Sequence, residues 1–378
     1  MFTKEQLEGL ATPCFVFDQV ELDANFRDFG RALRDAWGPL AWVGYSVKTN
    51  PFPWILDRAR ACGCFAEVVS DDEYALALDR GLNGSVVNLA SRRELRWVGE
   101  LAEEGLRDIR VGVRANIDLE RFCPGQTIGG DQPGRFGFCY EDGDLARAIE
   151  VLRAMPGVSV CGLHMHVTTY GRKPEAYRVL ARHAARIIRE NGMEADLDYV
   201  DMGGGYYGGG KRNEGRYEEY AQVFAEELGF LDSSRVRLFV EPGGAVVCTP
   251  GYYVGRVVDA KDVRGMRFVV SELSRLDIDH EMKKTSYPLE LFSSSEQTHS
   301  AQELCGFTCM ESDRLCLLED QPELREGDLV LVRFAGAYSM SFTPGFFIEH
   351  APAVYAWHDG SFELLRAGFD RLPPQSDR

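Results

Sequence analysis

The feature that most constrains the fold is an alternation of short apolar runs with longer amphipathic stretches, which continues to about residue 241. Such alternation indicates βαβ units, in which helices cover a sheet of parallel strands. The predicted parallel strands are AWVGYSVK ending at residue 48, FAEVV from 65, SVVNL from 85, IRVGVR from 109, SVCGLHMH from 158, LDYVDM from 197 and RLFVE from 237. A βα-barrel and a doubly wound sheet both satisfy this α/β pattern.

The sequence pattern changes beyond residue 245. Strands and turns such as GYYVGRVVDA, RFVVSEL, DLVLVRF and APAVYAWHDG follow one another there without long helical periods. This change predicts a separate all-β domain. We therefore expect a barrel domain at 20–245 and a β-domain made of 1–19 and 246–378.

Composition narrows the classes of partner. The 378 residues carry a net charge of -17 and show no basic patch, so a nucleic-acid partner is not expected, whereas a small cationic substrate suits this field. No apolar run approaches the roughly 18 residues of a membrane span, and the N-terminus lacks a secretory signal, so we expect no membrane contact and a cytoplasmic location. The ten cysteines are scattered without paired CxxC units, and no metal site is expected.

Ionisable residues and glycines lie where the predicted strands end. Chemistry in βα-barrels and open α/β sheets collects at the carboxyl ends of the strands. In chain order these ends carry Lys48, Glu67, Arg114, His164, His166, Asp201 and Glu241, with glycines at 203–205 and 243–244. The sequence thus predicts a ring of ionisable groups at one mouth of the sheet.

Lys48 indicates a cofactor. A lysine at the inner end of a buried strand is costly unless its pKa falls or its amine is bound covalently, as in a Schiff base with an aldehyde. Pyridoxal phosphate fits the neighbouring features: glycine amides at 203–205 for the phosphate, Glu241 for the ring nitrogen, and His166 for the ring face. Taken singly, each of these features has a more ordinary interpretation. A strand-end lysine is often a solvated residue at the rim of the sheet, and a GGG sequence is often a turn. An HxH pair can be a metal site or part of a half-buried strand.

Nine motifs extend this hypothesis to a known family. From residue 12 to about 345 they are TPCFVFD, YSVKTN, EVVS, RFGF, GLHMHV, DMGGGY, EPGG, CGFTCMESD and AGAYSM. In these motifs and their order the chain resembles the fold type III pyridoxal-phosphate decarboxylases, the ornithine and diaminopimelate decarboxylase type. The resemblance implies an alanine racemase-like parallel βα-barrel with an all-β C-terminal domain, pyridoxal 5'-phosphate as cofactor, and a homodimer that shares its active sites.

The resemblance also implies roles for individual residues. It makes Lys48 the Schiff-base lysine, with His166 on the pyridine ring and Glu241 on its nitrogen. The expected cofactor-binding set further contains Glu67, Arg114, Thr169, Gly203, Gly204, Gly205, Gly243, Gly244 and Tyr338.

The partner subunit is implied to complete the site. Cys309 would protonate the substrate carbon after carbon dioxide leaves, and Asp313 would face the distal end of the substrate. Glu272, Asp277 and Asp279 are further candidates to bind substrate amines.

Two departures from the usual ornithine and diaminopimelate pattern bear on substrate. Gly244 stands where an arginine usually follows EPG, and Met310 stands where an acidic residue usually follows the cysteine. The residue after the cysteine, together with AYSM and a segment containing His280, Tyr287 and Pro288, looks more like the carboxynorspermidine and carboxyspermidine decarboxylases. We therefore expect a basic amino acid or a carboxylated polyamine as substrate.

A third departure concerns the barrel itself. Between DDEYALALDRG and SVVNLAS the chain has only LNG, where the family inserts one more strand and helix. The chain therefore gives seven predicted strands in place of eight, and a compressed barrel and an incomplete barrel both remain open.

Two alternative functions remain at this stage. An amino-acid racemase on the same barrel would need a second base, usually a tyrosine from the β-domain, and the cysteine motif favours decarboxylation over it. A regulatory homologue without cofactor would tend to lose the lysine, the cysteine or the phosphate glycines, and all three are present.

Overall fold

The chain divides into two compact units. The computed structural model describes residues 2–83, 86–210, 216–279, 281, 283–340 and 350–370. The first unit contains Met1–Ala24, Lys48–Ile55 and Val246–Arg378, and the second contains Asn25–Val47 and Leu56–Ala245. Each unit is described separately below.

Helices cover most of the amphipathic stretches. They are α1 (Lys4–Glu8), α2 (Gln19–Trp37), α3 (Pro53–Ala61), α4 (Asp71–Asp79), α5 (Arg92–Glu103), α6 (Leu119–Phe122), α7 (Asp144–Ala154), α8 (Pro174–Glu190), α9 (Arg216–Leu228), α10 (Gly244–Val247) and α11 (Arg275–Ile278), with a 3-10 turn at Val47–Thr49. Helix α8 shows why they form: Pro174 occupies its first turn, where a backbone N–H has no helical partner, and its apolar residues recur on one buried face. In the described part of the chain, no helix has the length and apolar character that crossing a membrane requires.

The strands follow the apolar runs. They are β1 (Cys14–Asp18), β2 (Ala41–Ser46), β3 (Phe65–Glu67), β4 (Asn88–Leu89), β5 (Ile109–Asn116), β6 (Phe138–Cys139), β7 (Val158–Met165), β8 (Tyr199–Asp201), β9 (Arg237–Val240), β10 (Gly251–Val263), β11 (Met266–Ser271), β12 (Leu289–Phe292), β13 (Thr298–Cys305), β14 (Arg314–Pro322), β15 (Leu329–Arg333), β16 (His350–Ala351), β17 (Ala353–His358), β18 (Ser361–Arg366) and β19 (Phe369–Asp370).

The second unit contains a parallel sheet in the order β3-β2-β9-β8-β7-β5-β4. All seven predicted strands lie in it, and the expected α/β fold is confirmed. The two-residue strand β6, which sequence analysis missed, pairs with β5 just beyond β4: Leu89 is opposite Val113, and Phe138 is opposite Ala115. Among the described residues no ladder joins β3 to β4, so the sheet is an open half-barrel on the side where the chain is one βα unit short.

An aromatic cluster fills the half-barrel below its carboxyl ends. The ring of Tyr199 lies against Gly112 and Gly162 of the neighbouring strands so closely that a Cβ at either glycine would overlap it. Phe239 meets this ring edge-on at 5.7 Å, and Trp42 packs against the same cluster. Because side chains two residues apart share a face of a strand, Asp201 lies on the same side of β8 as Tyr199, one step nearer the carboxyl end.

The first unit is built on a mixed sheet, in the order β14-β13-β11-β10-β1-β17-β18, with β15 joining β10 to β12. The N-terminal strand β1 lies inside this sheet, antiparallel to β10 and parallel to β17. Its buried residues Cys14 and Val16 pack with Val254 and Leu331 in one apolar cluster. The sequence change after residue 245 therefore marks a separate β-sheet, as predicted.

Candidate active site

Parallel pairing brings the predicted strand-end residues of the second unit to one edge. Glu67 ends β3, Asp201 ends β8, and Glu241 directly follows β9. Arg114 and His164 are opposite each other in the register of β5 and β7. Asp201 and His164 are buried, so this edge holds charged groups away from bulk water.

Asp201, Glu241 and His164 form the centre of the edge. One ligand-type atom from each lies within 4.8 Å of the others, and Nε2 of His164 is 3.5 Å from Oε2 of Glu241. Burial, and then the negative charge of Glu241, raise the pKa of Asp201 to about 8. Two carboxyl groups beside an imidazole can therefore retain a proton near neutral pH, and their ligand types would also suit a divalent cation.

Hydrogen bonds orient two of the carboxylates, Asp201 and Glu67. Asp201 accepts from the side-chain amide of Asn88 at 3.2 Å and from the backbone N–H of Gly203 at 2.9 Å. Glu67 accepts from the Ser46 hydroxyl at 2.6 Å. The sequence did not indicate these roles for Asn88 and Ser46, because a short polar residue inside a predicted strand does not point to a particular function.

Arg114 brings a positive charge to these carboxylates. Burial lowers its pKa, while the carboxylates of Glu241, Glu67 and Asp201 act in the opposite direction. One of its terminal nitrogens donates to the backbone carbonyl of His166 at 3.4 Å. Its Nε is buried and has no hydrogen-bond partner among the described residues.

The glycines at 203–205 form a close-packed loop after β8. Gly203 has φ 64° and Gly205 has φ 85°, both in the left-handed region that favours glycine. A Cβ at Gly204 would overlap the carbonyl oxygen of Glu241, and the Gly204 N–H donates to Nδ1 of His166 at 3.1 Å. The loop therefore positions His166 and leaves no room for side chains of its own.

The remaining cofactor-binding residues predicted in the second unit are Thr169 and the two glycines of the EPGG motif, Gly243 and Gly244. Thr169 is buried, and its hydroxyl lacks a partner among the described residues. Gly243 directly precedes α10 and Gly244 begins it. A buried hydroxyl and a buried guanidinium nitrogen without partners, together with a side-chain-free glycine loop, suit a polar anionic ligand such as a phosphate ester.

Lys48 and Tyr338 belong to the first unit. The turn that contains Lys48 is tied to the loop of Tyr338, because the Tyr338 N–H donates to the Thr49 carbonyl at 2.9 Å. The buried side chain of Asn50 donates to the Gly336 carbonyl, also at 2.9 Å. A Cβ at Gly336 would overlap the carbonyl oxygen of Val247, so the close approach requires glycine here.

Two residues of this region were missed from sequence. In the sequence, Asn50 was interpreted only as a residue that ends the strand. Its position between the strand end and two prolines was the one feature that could have indicated a structural role. Ser339 is buried beside Tyr338, and its hydroxyl has no partner in the part of the chain that the structure describes.

Cys309 is exposed in the loop between β13 and β14. The base of this loop is held by Asp313, whose buried carboxylate accepts from the Thr308 hydroxyl at 2.7 Å and the Arg275 N–H at 2.8 Å. The Ser274 hydroxyl donates to it as well, at 3.1 Å. These donors make Asp313 an anchor of the Cys309 loop, and its expected contact with substrate stays a prediction.

Two further expected substrate ligands are also occupied within the first unit. The Tyr253 hydroxyl donates to the buried Asp277 at 2.7 Å. Asp279 is buried, pairs with Arg275 at 2.9 Å and accepts from the Tyr287 hydroxyl at 3.0 Å. These carboxylates already have partners within their own unit, and their roles as amine ligands stay predictions.

Glu272 differs from these aspartates. It is half-buried and accepts from the Arg256 N–H at 2.9 Å, and its role as a substrate ligand stays a prediction. His280, part of the segment that suggested a polyamine substrate, lies outside the described residues.

Comparison with known proteins decides between a metal and a cofactor at the strand ends. Residues 82–248 match the family model for the pyridoxal-binding domain of pyridoxal-dependent decarboxylases, a segment that contains Arg114, His166, the glycine loop and Glu241. This segment is similar to the pyridoxal-binding domain of that family. The residues present fit this cofactor, since the unpartnered donors and the glycine loop suit its phosphate and the acidic cluster suits its ring nitrogen.

Known decarboxylases are similar to this chain over nearly its whole length. A diaminopimelate decarboxylase of Actinosynnema pretiosum is 28% identical over 94% of this chain and 86% of its own. The L-glutamyl-[BtrI acyl-carrier protein] decarboxylase of Niallia circulans is 24% identical over 94% of this chain and 91% of its own. The crystal structure of a diaminopimelate decarboxylase from M. jannaschii with L-lysine has a TM-score of 0.84 at 21% identity, over 96% of this chain and 91% of that chain.

These relatives correct one expectation. The matches include diaminopimelate decarboxylases in both sequence and structure, so the finer resemblance to carboxynorspermidine and carboxyspermidine decarboxylases is not supported. The residue after Cys309 was a misleading signal, because one exposed loop position weighs less than similarity along the whole chain.

Proposed function

We propose that this decarboxylase acts on diaminopimelate or a basic amino acid of similar length. The observation that supports the proposal most is the cluster of Asp201, Glu241 and His164 within a matched pyridoxal-binding domain. The names of the relatives support diaminopimelate as the first substrate to test. The Niallia circulans relative, whose printed name gives a different substrate, makes a wider substrate screen necessary.

Each residue of the proposed site has one task. Bound pyridoxal phosphate supplies the electron sink for the carbon that loses carbon dioxide. Lys48 supplies the amine that holds the cofactor's aldehyde. Glu241, beside Asp201 and His164, would keep a proton at the ring nitrogen, because the negative charge of an adjacent carboxylate favours the protonated form of that nitrogen.

Binding of the phosphate falls to donors without other partners. Thr169 and Arg114 offer a buried hydroxyl and a buried guanidinium nitrogen, whereas the N–H groups of Gly203 and Gly204 in the glycine loop already donate to Asp201 and to His166. Gly244 stands where the family usually has an arginine, so one positive charge is missing from the groups that would bind the phosphate. Arg114 therefore provides a larger share of the positive charge that pairs with the phosphate. His166 covers the ring face from a position fixed by Gly204.

Cys309 is proposed to deliver the proton to the substrate carbon in the partner subunit's site. Its exposure at a loop tip supports a role outside its own unit, and the hydrogen bonds to Asp313 limit the positions that the loop can take. A homodimer with shared sites is therefore part of the proposal, and a cytoplasmic location stays an expectation.

A substrate screen tests this function. The purified protein, saturated with pyridoxal phosphate, is incubated with diaminopimelate, lysine, ornithine and arginine, and carbon dioxide and the amine product are measured. We expect release from diaminopimelate and none from the Lys48→Ala variant. Inversion of the amino acid without gas release would instead establish the racemase, and a protein that never binds the cofactor would establish the regulatory homologue.

A further inference from the structure

One row of the parallel sheet crosses four strands and contains two glycines. Asn88 of β4 is opposite Gly112 of β5 in the register of the sheet. Gly112 is in turn opposite Gly162 of β7, and Gly162 is opposite Tyr199 of β8. We call these four residues the glycine row, and all of them belong to the second unit.

The two glycines let the side chain of Tyr199 lie across the sheet. A Cβ at Gly162 would overlap the Tyr199 ring. A Cβ at Gly112 would overlap both the Tyr199 hydroxyl and Oδ1 of Asn88. Because the strand order is β8-β7-β5-β4, the buried tyrosine passes over two strands and its hydroxyl lies beside the last strand, β4.

A chain of hydrogen bonds begins at the end of this side chain. The Tyr199 hydroxyl donates to Oδ1 of Asn88 at 2.8 Å, and its contact with the Val87 carbonyl is longer, at 3.4 Å. Nδ2 of Asn88 donates to Oδ2 of Asp201 at 3.2 Å. Burial raises the pKa of the Tyr199 phenol, so this hydroxyl keeps its proton and donates it to the amide oxygen. The amide nitrogen is therefore the group that faces Asp201.

Asp201 is the point at which the chain reaches the proposed active site. Its other oxygen, Oδ1, accepts from the Gly203 N–H at 2.9 Å. Two hydrogen bonds, one to each oxygen, fix the plane of a carboxylate, because each bond prefers a narrow range of directions. The carboxylate is thus held in one orientation beside Glu241 and His164.

We propose that Asn88 and Tyr199 are positioning residues of the decarboxylation site, in which the Tyr199 hydroxyl holds the Asn88 amide and the amide holds the Asp201 carboxylate. This role rests on the proposed function, since it takes Glu241 to be the partner of the cofactor's ring nitrogen. A carboxylate that is free to turn would place its negative charge less well beside Glu241, and the protonated ring nitrogen would be less favoured.

The alternative is that the chain of hydrogen bonds only keeps β4 in the sheet. Strand β4 has two residues, Asn88 and Leu89, so a side-chain bond would also help to hold it against β5. A loss of that support would weaken folding and every mode of cofactor binding alike. A positioning role, in contrast, acts at the ring nitrogen, and two probes that differ only at that atom separate the two roles.

Pyridoxal phosphate and a carbocyclic analogue, in which a C–H group replaces the ring nitrogen, are titrated into the cofactor-free protein by calorimetry. We expect Asn88→Ser to weaken binding of pyridoxal phosphate by about tenfold, because the lost hydrogen bond is one to a carboxylate. Tyr199→Phe keeps the buried ring and loses only the hydroxyl, so we expect a loss of about threefold. Both variants should bind the analogue as the wild type does. With diaminopimelate, both should lower kcat and leave KM unchanged.

A double variant tests whether Tyr199 acts through Asn88. In the Asn88→Ser protein the Tyr199 hydroxyl has no amide to hold, so the addition of Tyr199→Phe should change the affinity for pyridoxal phosphate by less than about twofold. Tyr140→Phe is the matched control. The Tyr140 hydroxyl donates to Glu190 at 2.8 Å, outside the glycine row, and this variant should bind both probes as the wild type does.

Equal losses for the two probes would overturn the positioning role, and losses that multiply in the double variant would overturn the order of the chain. Tyr199→Phe with wild-type affinity for pyridoxal phosphate would also overturn it, a result that holds even if Asn88→Ser fails to fold. These results would leave the proposed function intact where the wild type binds the cofactor and releases carbon dioxide. A wild type that binds neither probe would contradict the proposed function, and this inference with it.

Discussion

The buried carboxylate of Asp313 accepts a hydrogen bond from the hydroxyl of Thr308 at 2.7 Å, in the residue directly before Cys309. The same carboxylate accepts the Arg275 N–H at 2.8 Å, so the loop is fastened to the start of α11. The proposed proton donor is therefore exposed on a loop whose base is anchored in the protein.

We expect Asp313→Asn to reduce kcat with little change in KM or in cofactor absorbance. An amide cannot accept all of these donors, and the lost charged hydrogen bonds should lower the free energy of unfolding by about 2 kcal/mol. Turnover in D2O gives the decisive measurement. The wild type should place deuterium on one face of the carbon that lost its carboxylate, and Asp313→Asn should place it on both.

Glu311→Gln is the matched control, because Glu311 lies in the same loop with a side chain that is 95% exposed. It should retain both rate and stereochemistry. Alkylation of the Cys309 thiol, followed by peptide mapping, gives a second measurement that does not depend on activity. An Asp313→Asn variant with the wild-type alkylation rate and one-sided deuterium would contradict the positioning role.

Lys48→Ala should abolish the visible absorbance of the bound cofactor and all carbon dioxide release, because no other amine is proposed to hold the aldehyde. Lys261→Ala, at an exposed position on β10, is the control and should retain both. Borohydride reduction and peptide mapping should place the label on Lys48 in the wild type. A label elsewhere would end the proposed assignment.

The raised pKa of Asp201 predicts a pH dependence of stability in the cofactor-free protein. The folded state keeps a proton on Asp201 up to about pH 8, whereas the unfolded chain releases it near the ordinary value of 3.8. Between these values the folded state binds more protons, so this group makes the free energy of unfolding decrease as pH rises. Asp201→Asn should therefore gain stability relative to the wild type from pH 5 to pH 8.

Thermal unfolding of both proteins at several pH values checks this prediction. Asp198→Asn is a useful control, since Asp198 lies at a strand start in an ion pair with Arg110. A constant difference in melting temperature between Asp201→Asn and the wild type would show that Asp201 titrates normally.

Gly204→Ala should weaken cofactor binding by at least tenfold. The added methyl group would overlap the carbonyl oxygen of Glu241, so the loop must move away from His166. Titration with pyridoxal phosphate, followed by absorbance, measures the effect. Gly9→Ala is the control, because a Cβ there meets nothing within 4 Å, and equal affinities of the two variants would contradict the close-packed loop.

The sequence alone determined the order of the strands along the chain and the identity of the residues at their ends. Glu67, His164 and Glu241 could be assigned to one edge because parallel strands all end on the same side of a sheet. The edge assignment depends only on periodicity. The missing βα unit was suggested by the family resemblance, since only LNG stands where the family inserts another strand and helix, and the sequence left open whether the barrel is compressed or incomplete.

Only the tertiary structure decided which polar residues are available to a ligand. Asp313, Asp277 and Asp279 seemed suited to substrate amines, yet each is buried among donors from its own unit. Asn50 gave little signal, although its amide holds the loop before Tyr338. A residue type states what a side chain can bind, whereas burial and the partners already in place determine what it does bind.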